Sequence, residues 1–292
     1  MSMDVLSDVL RSLRATGTVY FCDQLAPPWE KHFPADATAS FHQIRRGDCW
    51  VRIDDVQEHL GPGDLVFLSP GTEHYLISDT SASDSEAEAS ESLLLCGYCT
   101  FDDTLGTPLN DLFPDMVIIR ADQLESLGWL KAILDQLSHE YLSLRPGTTI
   151  VVNRLTEVLI VELIRMNFGR DKQTPLIKAL GDKYVGKALH SIHQQPEHTW
   201  SLETLAVDVG LSRAAFAKRF KTLVGQSMFE YLTSIRLQQA CQLLANTELP
   251  LYEVAGRVGY ESDLAFTRTF KKHIGQTPTA YRKQLAPQPD LA

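Results

Sequence analysis

Apolar positions along this 292-residue chain change period twice. At the start, Val5, Leu6, Val9, Leu10 and Leu13 fall at helical spacing and predict a short amphipathic helix over Met3–Leu13. Short runs follow, several of them alternating: Thr18–Cys22, Ala39–Arg45, Cys49–Ile53, Val56–Leu60, Leu65–Leu68, His74–Ile77 and Leu93–Thr100. Turn residues separate them, at Pro27-Pro28, Gly47-Asp48, Asp54-Asp55, Gly61-Pro62-Gly63-Asp64 and Pro70-Gly71. Many short strands with glycine and proline turns predict a sandwich or jelly-roll barrel. The period becomes helical from Ala121. Leu124, Leu127, Leu130, Ile133, Leu134, Leu137 and Tyr141 predict one amphipathic helix, and Pro146 to Phe168 predicts a second that is apolar nearly all round. Such a helix must be buried on more than one side. Its cover is either one thick core or a second subunit. Gly169 to Thr174 reads as a polar linker, and a helix over Asp182 to His193 opens the last region.

That last region is written twice. Ala206-Val207-Asp208-Val209-Gly210 aligns with Ala255-Gly256-Arg257-Val258-Gly259 at an offset of 49, and after one extra residue, Glu261, the offset is 50. Ser212 then falls on Ser262, Phe216 on Phe266, Phe220 on Phe270, Gly225 on Gly275 and Tyr231 on Tyr281. Two copies mean a duplicated supersecondary unit and not a solenoid. Each copy reads as a helix ended by glycine, a tight turn, and a serine-capped second helix. In the first copy Phe216, Phe220 and Leu223 point inward, while Arg213, Lys218, Arg219 and Lys221 point outward. In the second, Phe266 and Phe270 are inward, with Thr267, Arg268, Lys271 and Lys272 outward. This is the helix-turn-helix plan, whose second helix enters the major groove of DNA. A continuous helix over Phe229–Asn246 joins the copies. It could set two readers about 34 Å apart, one turn of the duplex.

Residues 182–284 resemble the DNA-binding domain of the AraC/XylS family of transcription regulators. The resemblance rests on Leu205-Ala206, Ser212, Phe216, Phe220-Lys221, Gly225, Tyr231, Arg236-Leu237, Ala240, Leu243-Leu244, Val254-Ala255, Val258-Gly259-Tyr260, Phe266, Phe270-Lys271, Gly275, Pro278 and Tyr281-Arg282. It implies base-edge contacts from Arg213, Ala214, Ala217 and Lys218 in the first reader, and from Asp263, Leu264, Thr267 and Arg268 in the second. Ala214 and Ala217 depart from many members and offer only apolar contact, such as to a thymine methyl. The corners Gly61–Val66 and Pro70–His74, with Pro28-Trp29, Phe41-His42, Cys96-Gly97 and Phe101-Asp102, resemble the cupin barrel that many such regulators carry. The implied fold is α+β: a cupin-like sensor barrel over residues 1–120, a helical pair over 121–168 where such regulators dimerise, a linker over 169–181, and two helix-turn-helix motifs within 182–285. The implied partners are double-stranded operator DNA, a small-molecule effector, a second copy of the chain, and RNA polymerase if the protein activates.

Net charge is −10, an odd balance for a DNA binder until it is divided. Residues 1–180 hold 14 basic and 27 acidic residues, whereas residues 181–292 hold 13 basic and 10 acidic. The local footprint governs phosphate contact. Ser78 to Ser92, acidic and serine-rich, reads as a loop between strands. The five cysteines form no disulfide framework, which suits a reducing cytoplasm. No apolar run has membrane length, and no nucleophile elbow, phosphate loop or paired-carboxylate motif points to an enzyme.

Three signals compete for the barrel. A small organic ligand would be lined by Trp29, Phe41, His42, Trp50, His74 and Tyr98, each equally explained as core. A metal would draw on His32, His42, His74, Cys96 and Cys99. However, the chain lacks a His-x-His pair, and Cys96 and Cys99 face opposite sides of a strand. No resident cofactor is expected. The third signal is oxidation: Cys22 and Cys96 resemble in position the cysteine pair of the reactive-chlorine-responsive branch of the same family.

Overall fold

The structure is a computed structural model. It describes residues 4–13, 16–78, 91–100, 114–143, 145–167 and 174–285, without the side chains of 11–13, 21, 22 and 167. The serine-rich loop after Ser78, Phe101-Asp102, Phe168 and residues 169–173 of the expected linker lie outside the described residues. Two compact units emerge: one holds the described residues from 16 to 174, and the other joins the N-terminal helix to everything from Pro175 onward.

The first unit is built on two antiparallel sheets. One has the order β1 (Thr16–Leu25), β8 (Ser92–Thr100), β3 (Thr38–Arg46), β6 (Leu65–Leu68), β9 (Met116–Ile119). The other runs β2 (Glu30–Phe33), β7 (His74–Ser78), β4 (Cys49–Ile53), β5 (Val56–Leu60). Alternate residues of both sheets meet in one core: Ile44, Cys49, Val51, Leu60, Val66, Leu68, Leu76, Leu94 and Cys96. The α+β class and the barrel agree with the alternation in the sequence. Two strands went unseen there. Glu30–Phe33 is almost wholly polar, and Met116–Ile119 carries no polar alternation. Both are recruited by pairing, β2 to β7 and β9 to β6. The Gly61–Asp64 corner is held by Asp64, whose carboxylate accepts the Gly61 and Ala121 N–H groups at 3.1 and 2.8 Å and pairs with Arg120 at 2.9 Å.

The helical part of this unit departs from the expectation in two ways. The stretch from Ala121 is two helices, α2 (Ala121–Ser126) and α3 (Gly128–Ser143), broken where Leu127 leaves helical geometry ahead of Gly128. Pro146 lies outside the next helix, α4 (Thr148–Asn167), because Gly147 takes a positive φ of 88°. Within the chain α4 buries one face and leaves another open, the face for which the sequence raised a second subunit as cover. Val152, Leu159, Ile160, Leu163 and Ile164 are buried, while Ile150 is 69% exposed, Val151 38% and Val158 46%.

The second unit is all helical. The N-terminal helix α1 (Val5–Leu13) packs on α6 (Val185–Gln194) and α9 (Met228–Asn246), so it does not belong with the barrel as the 1–120 grouping held. Val5 and Val9 are buried, and Asp8 accepts hydrogen bonds from His190 Nδ1 and Gln194 Nε2, both at 2.7 Å. The end of the expected linker is a helix as well. In α5 (Pro175–Gly181), Leu176, Ile177, Ala179 and Leu180 are buried, and the helix packs on α8 (Arg213–Val224). Asp182 stands before α6 and accepts the Tyr184 and Val185 N–H groups, so that helix begins three residues later than the periodicity indicated.

Gly259 is the tightest position here. Its φ is 82°, and a methyl group on it would sit 2.7 Å from the Glu197 carbonyl oxygen and 2.8 Å from the Arg236 guanidinium. Gly275 has a similar φ of 83° but open space around it. Gly259→Ala is therefore expected to cost about 2 kcal/mol or more, and Gly275→Ala about 1 kcal/mol. Urea denaturation of both variants checks the order, and equal losses would contradict the close approach at Gly259.

Candidate nucleic-acid interface and barrel interior

Each copy of the repeat has the same construction. Ser201 caps α7 (Leu202–Val209), accepting the Thr204 N–H at 3.1 Å, and Gly210 ends it in the left-handed conformation. Ser212 then caps α8, accepting from Ala215 N at 3.3 Å. In the second copy α10 (Leu251–Arg257) leads through Gly259 to α11 (Asp263–Ile274), where Ser262 accepts from Ala265 N at 3.1 Å. Side chains i and i+4 share a helix face. Phe216 and Phe220 therefore stack edge-on at 5.7 Å, and Phe266 and Phe270 at 5.6 Å. Tyr231 extends the first stack at 5.9 Å, and Tyr281 of α12 (Pro278–Leu285) extends the second at 5.6 Å. Val224 is the third buried residue of α8, in place of Leu223, which is half-buried.

The N-terminal halves of both second helices are open. Arg213, Ala214 and Lys218 are exposed and Ala217 is half-buried; Asp263, Leu264 and Arg268 are exposed and Thr267 is half-buried. The eight positions thus form two equivalent rows at the N-terminal halves of α8 and α11. Arg213 pairs with Glu203 at 2.9 Å, but both groups are more than half exposed, and such a pair holds weakly. Among the described residues Lys218 and Arg268 engage no carboxylate. Arg219 behaves otherwise: its side chain is 48% exposed but is bound to the nearly buried Asp182. Two signature residues turn out to be scaffold. Arg236 donates to the Pro196 and His198 carbonyls at 2.7 and 2.9 Å, and Arg282 donates to the Leu249 carbonyl at 2.7 Å.

In the barrel, His42 and His74 face each other across the two sheets. Both are buried, with Nε2 atoms 2.9 Å apart. His74 Nδ1 donates to the Thr72 carbonyl at 2.9 Å, so in the neutral ring its Nε2 is an acceptor. His42 must then donate through Nε2, which leaves His42 Nδ1 a buried acceptor without a partner. Burial, and then the neighbouring His74, push the His42 pKa well below its usual value, and burial lowers that of His74. Phe33 stacks on His74 at 4.7 Å; the sequence reading missed it because β2 was not recognised. Trp29 packs on the same core, with its indole nitrogen buried and unpartnered. Tyr98 is half-buried beside Tyr20, ring centroids 5.6 Å apart.

Trp50 does not join them. Cys49 and Val51 of β4 enter the core, so Trp50 faces the other way and packs on His59 at 5.0 Å. His32 is also outside, bonded to Glu73 at 2.9 Å. Among the described residues no three His, Cys, Asp or Glu side chains converge to hold a metal ion. Cys96 is in the core at 1% exposure, while Cys99 is buried and its thiol is pushed up to about 12 by burial. On β1, Cys22 pairs with Leu95, and Cys96 pairs with Phe21. The Cys22 side chain lies outside the described residues.

His193 receives the Tyr231 hydroxyl at 2.7 Å, and burial lowers its pKa to about 4. An imidazole kept neutral by the fold binds its proton more weakly folded than unfolded. Stability is therefore full above about pH 6.5 and falls from there to about pH 4, by at most about 1.4 kcal/mol per pH unit. His193→Gln is expected to flatten this loss between pH 7.5 and 5, read as urea midpoints. An unchanged pH dependence would refute the assignment.

The cupin family matches residues 4–169, and a helix-turn-helix domain matches residues 205–284. An AraC-like transcription regulator of Streptomyces lividans is 30% identical over 96% of this chain and 98% of its own length. A like-named protein of Streptomyces antibioticus is 29% identical over 98% and 100%. The RCS-specific HTH-type transcriptional activator RclR of Escherichia coli strain K12 is 25% identical over 98% and 100%.

Proposed function

The chain belongs to the AraC family of transcription regulators, with a cupin domain ahead of the helix-turn-helix region, and we propose that each subunit of a homodimer reads two successive major-groove segments of a double-stranded operator. The relatives are transcription regulators, so the chain is a DNA-binding regulator and not an enzyme. The observation that carries the detailed reading is the equivalence of the two open rows. Arg213, Ala214, Ala217 and Lys218 stand on one capped helix, and Asp263, Leu264, Thr267 and Arg268 on the other, each row on a helix anchored by a buried aromatic pair. Arg213, Lys218 and Arg268 supply hydrogen-bond donors to base edges; the alanines and Leu264 supply apolar contact. Among the described residues no helix is long and apolar enough to cross a membrane. DNA being the partner, we take the site of action to be the cytoplasm.

The effector reading is a small organic molecule in the barrel, bound by His42 and His74 with Trp29 and Tyr98 alongside. The bare His42 Nδ1 supports a ligand that carries a hydrogen-bond donor. An oxidant acting through Cys22 and Cys96 is the second reading, motivated by the name of the E. coli relative. Burial of Cys96 weighs against it. Dimerisation is assigned to the helical pair α3 and α4, which leaves Leu142 60% exposed on α3 and Ile150, Val151 and Val158 open on α4. RNA polymerase is a further partner if the protein activates.

Lys218→Ala and Arg268→Ala are each expected to weaken operator binding by about 1–3 kcal/mol, with the loss confined to the base positions that each one reads. Titrations on a panel of operator variants check this, and a uniform small loss across all sequences would reassign both to phosphate. Val158→Asp is expected to turn a dimer into a monomer in sedimentation at micromolar concentration. A wild-type protein that is already monomeric would remove the dimer from the proposal.

A further inference from the structure

A basic side chain on a DNA-reading helix is expected to seek phosphate, yet Arg219, 48% exposed, is already bound to an acid of its own unit. Its Nε lies 3.1 and 3.0 Å from the two carboxylate oxygens of Asp182, and a terminal nitrogen bonds the second oxygen as well. The guanidinium also lies 5.4 Å from the Tyr184 ring. Asp182 is no ordinary surface acid. Its side chain is 11% exposed, and Oδ1, the oxygen 3.1 Å from Arg219 Nε, also accepts the N–H groups of Tyr184 and Val185 at 3.0 and 2.9 Å. One carboxylate thus joins the residue after α5, the first turn of α6 and the middle of α8.

The position along α8 gives this contact its meaning. Phe216 and Phe220 anchor the helix along one stripe. Arg219 flanks that stripe and Lys218 lies nearly opposite it. A stripe of rings resists separation better than it resists roll about the helix axis. A planar guanidinium gripping a carboxylate at two points resists roll, because both bonds depend on orientation. We propose that Asp182 and Arg219 form a clasp that sets the roll of α8, and with it the aim of Arg213 and Lys218 into the major groove. Arg219 is then a positioning residue and not a DNA contact. This rests on the assignment of α8 as the first reader.

The two roles predict opposite signs. Asp182→Asn keeps an oxygen for the Tyr184 and Val185 N–H groups but loses the ionic grip on Arg219. If Arg219 contacted phosphate, removing its acidic competitor would tighten binding to any duplex. If the pair is a clasp, Asp182→Asn and Arg219→Gln both weaken the operator by about tenfold, the double variant is no weaker than either single one, and the loss falls within the half read by α8. Full-length protein is titrated on operators altered in either half and on an unrelated duplex, with Lys218→Ala alongside and the thermal midpoint recorded for each variant. Tighter or unchanged binding by Asp182→Asn, with sequence-independent weakening by Arg219→Gln, overturns the clasp. So does wild-type affinity in both clasp variants while Lys218→Ala is impaired. No effect of Lys218→Ala overturns the assignment of α8 itself. Should Asp182→Asn unfold, Arg219→Lys decides: it keeps the charge and loses the two-point grip, so it weakens the α8 half under the clasp and retains affinity under a phosphate role.

Discussion

Neither helix-turn-helix can bury its own apolar face, and the C-terminal unit is arranged around that deficit. The entry helices α7 and α10 have 8 and 7 residues. Helices so short are not stable without tertiary packing. The shared helix α9 supplies it to both copies. Its first turns bring Tyr231 and Leu232 under the first pair of phenylalanines, and its later turns bring Leu237, Ala240 and Leu244 into the core of the second. One helix therefore fixes both readers, and a change in α9 reaches the two together. The clasp at Asp182 acts on the first reader alone.

The barrel solves a different problem. Its core is apolar and buried, yet it contains two imidazoles, and a charge there would be poorly solvated. The fold keeps both neutral by burial and orders their protons through one carbonyl, that of Thr72. The chain of hydrogen bonds ends at an acceptor with nothing to accept. Such an end costs free energy in the empty state and rewards any molecule able to satisfy it. A sensor needs that difference between empty and occupied states, since a ligand shifts an equilibrium only through differential affinity.

Local patterns were legible where the chemistry is local. Serine caps, glycine ends, the spacing of phenylalanines and the strand alternation of the barrel each depend on a few neighbouring residues, so the duplicated readers and the sheet core were readable in one dimension. What is set by pairing or packing was not. The polar β2 becomes a strand only because β7 offers an edge. The segment expected as linker becomes α5 because four of its side chains are buried where it packs on α8 and α6. Trp50 looks like a lining residue until the register turns it outward, and Phe33 becomes one only through a strand that the pattern did not reveal.

The sequence by itself determined the fold class, the duplication and the capped helices that carry the two rows, because periodicity and capping encode them within a turn or two of chain; the assignment of those rows to DNA came from the family resemblance. Only the tertiary structure decided which cations remain available and which are consumed. Arg213, Lys218, Arg219 and Lys221 look alike on a helical projection, but the partner that removes Arg219 from the set stands 37 residues earlier in the chain. A long-range ion pair leaves no periodic trace, and it is visible only once α5, α6 and α8 have been brought together.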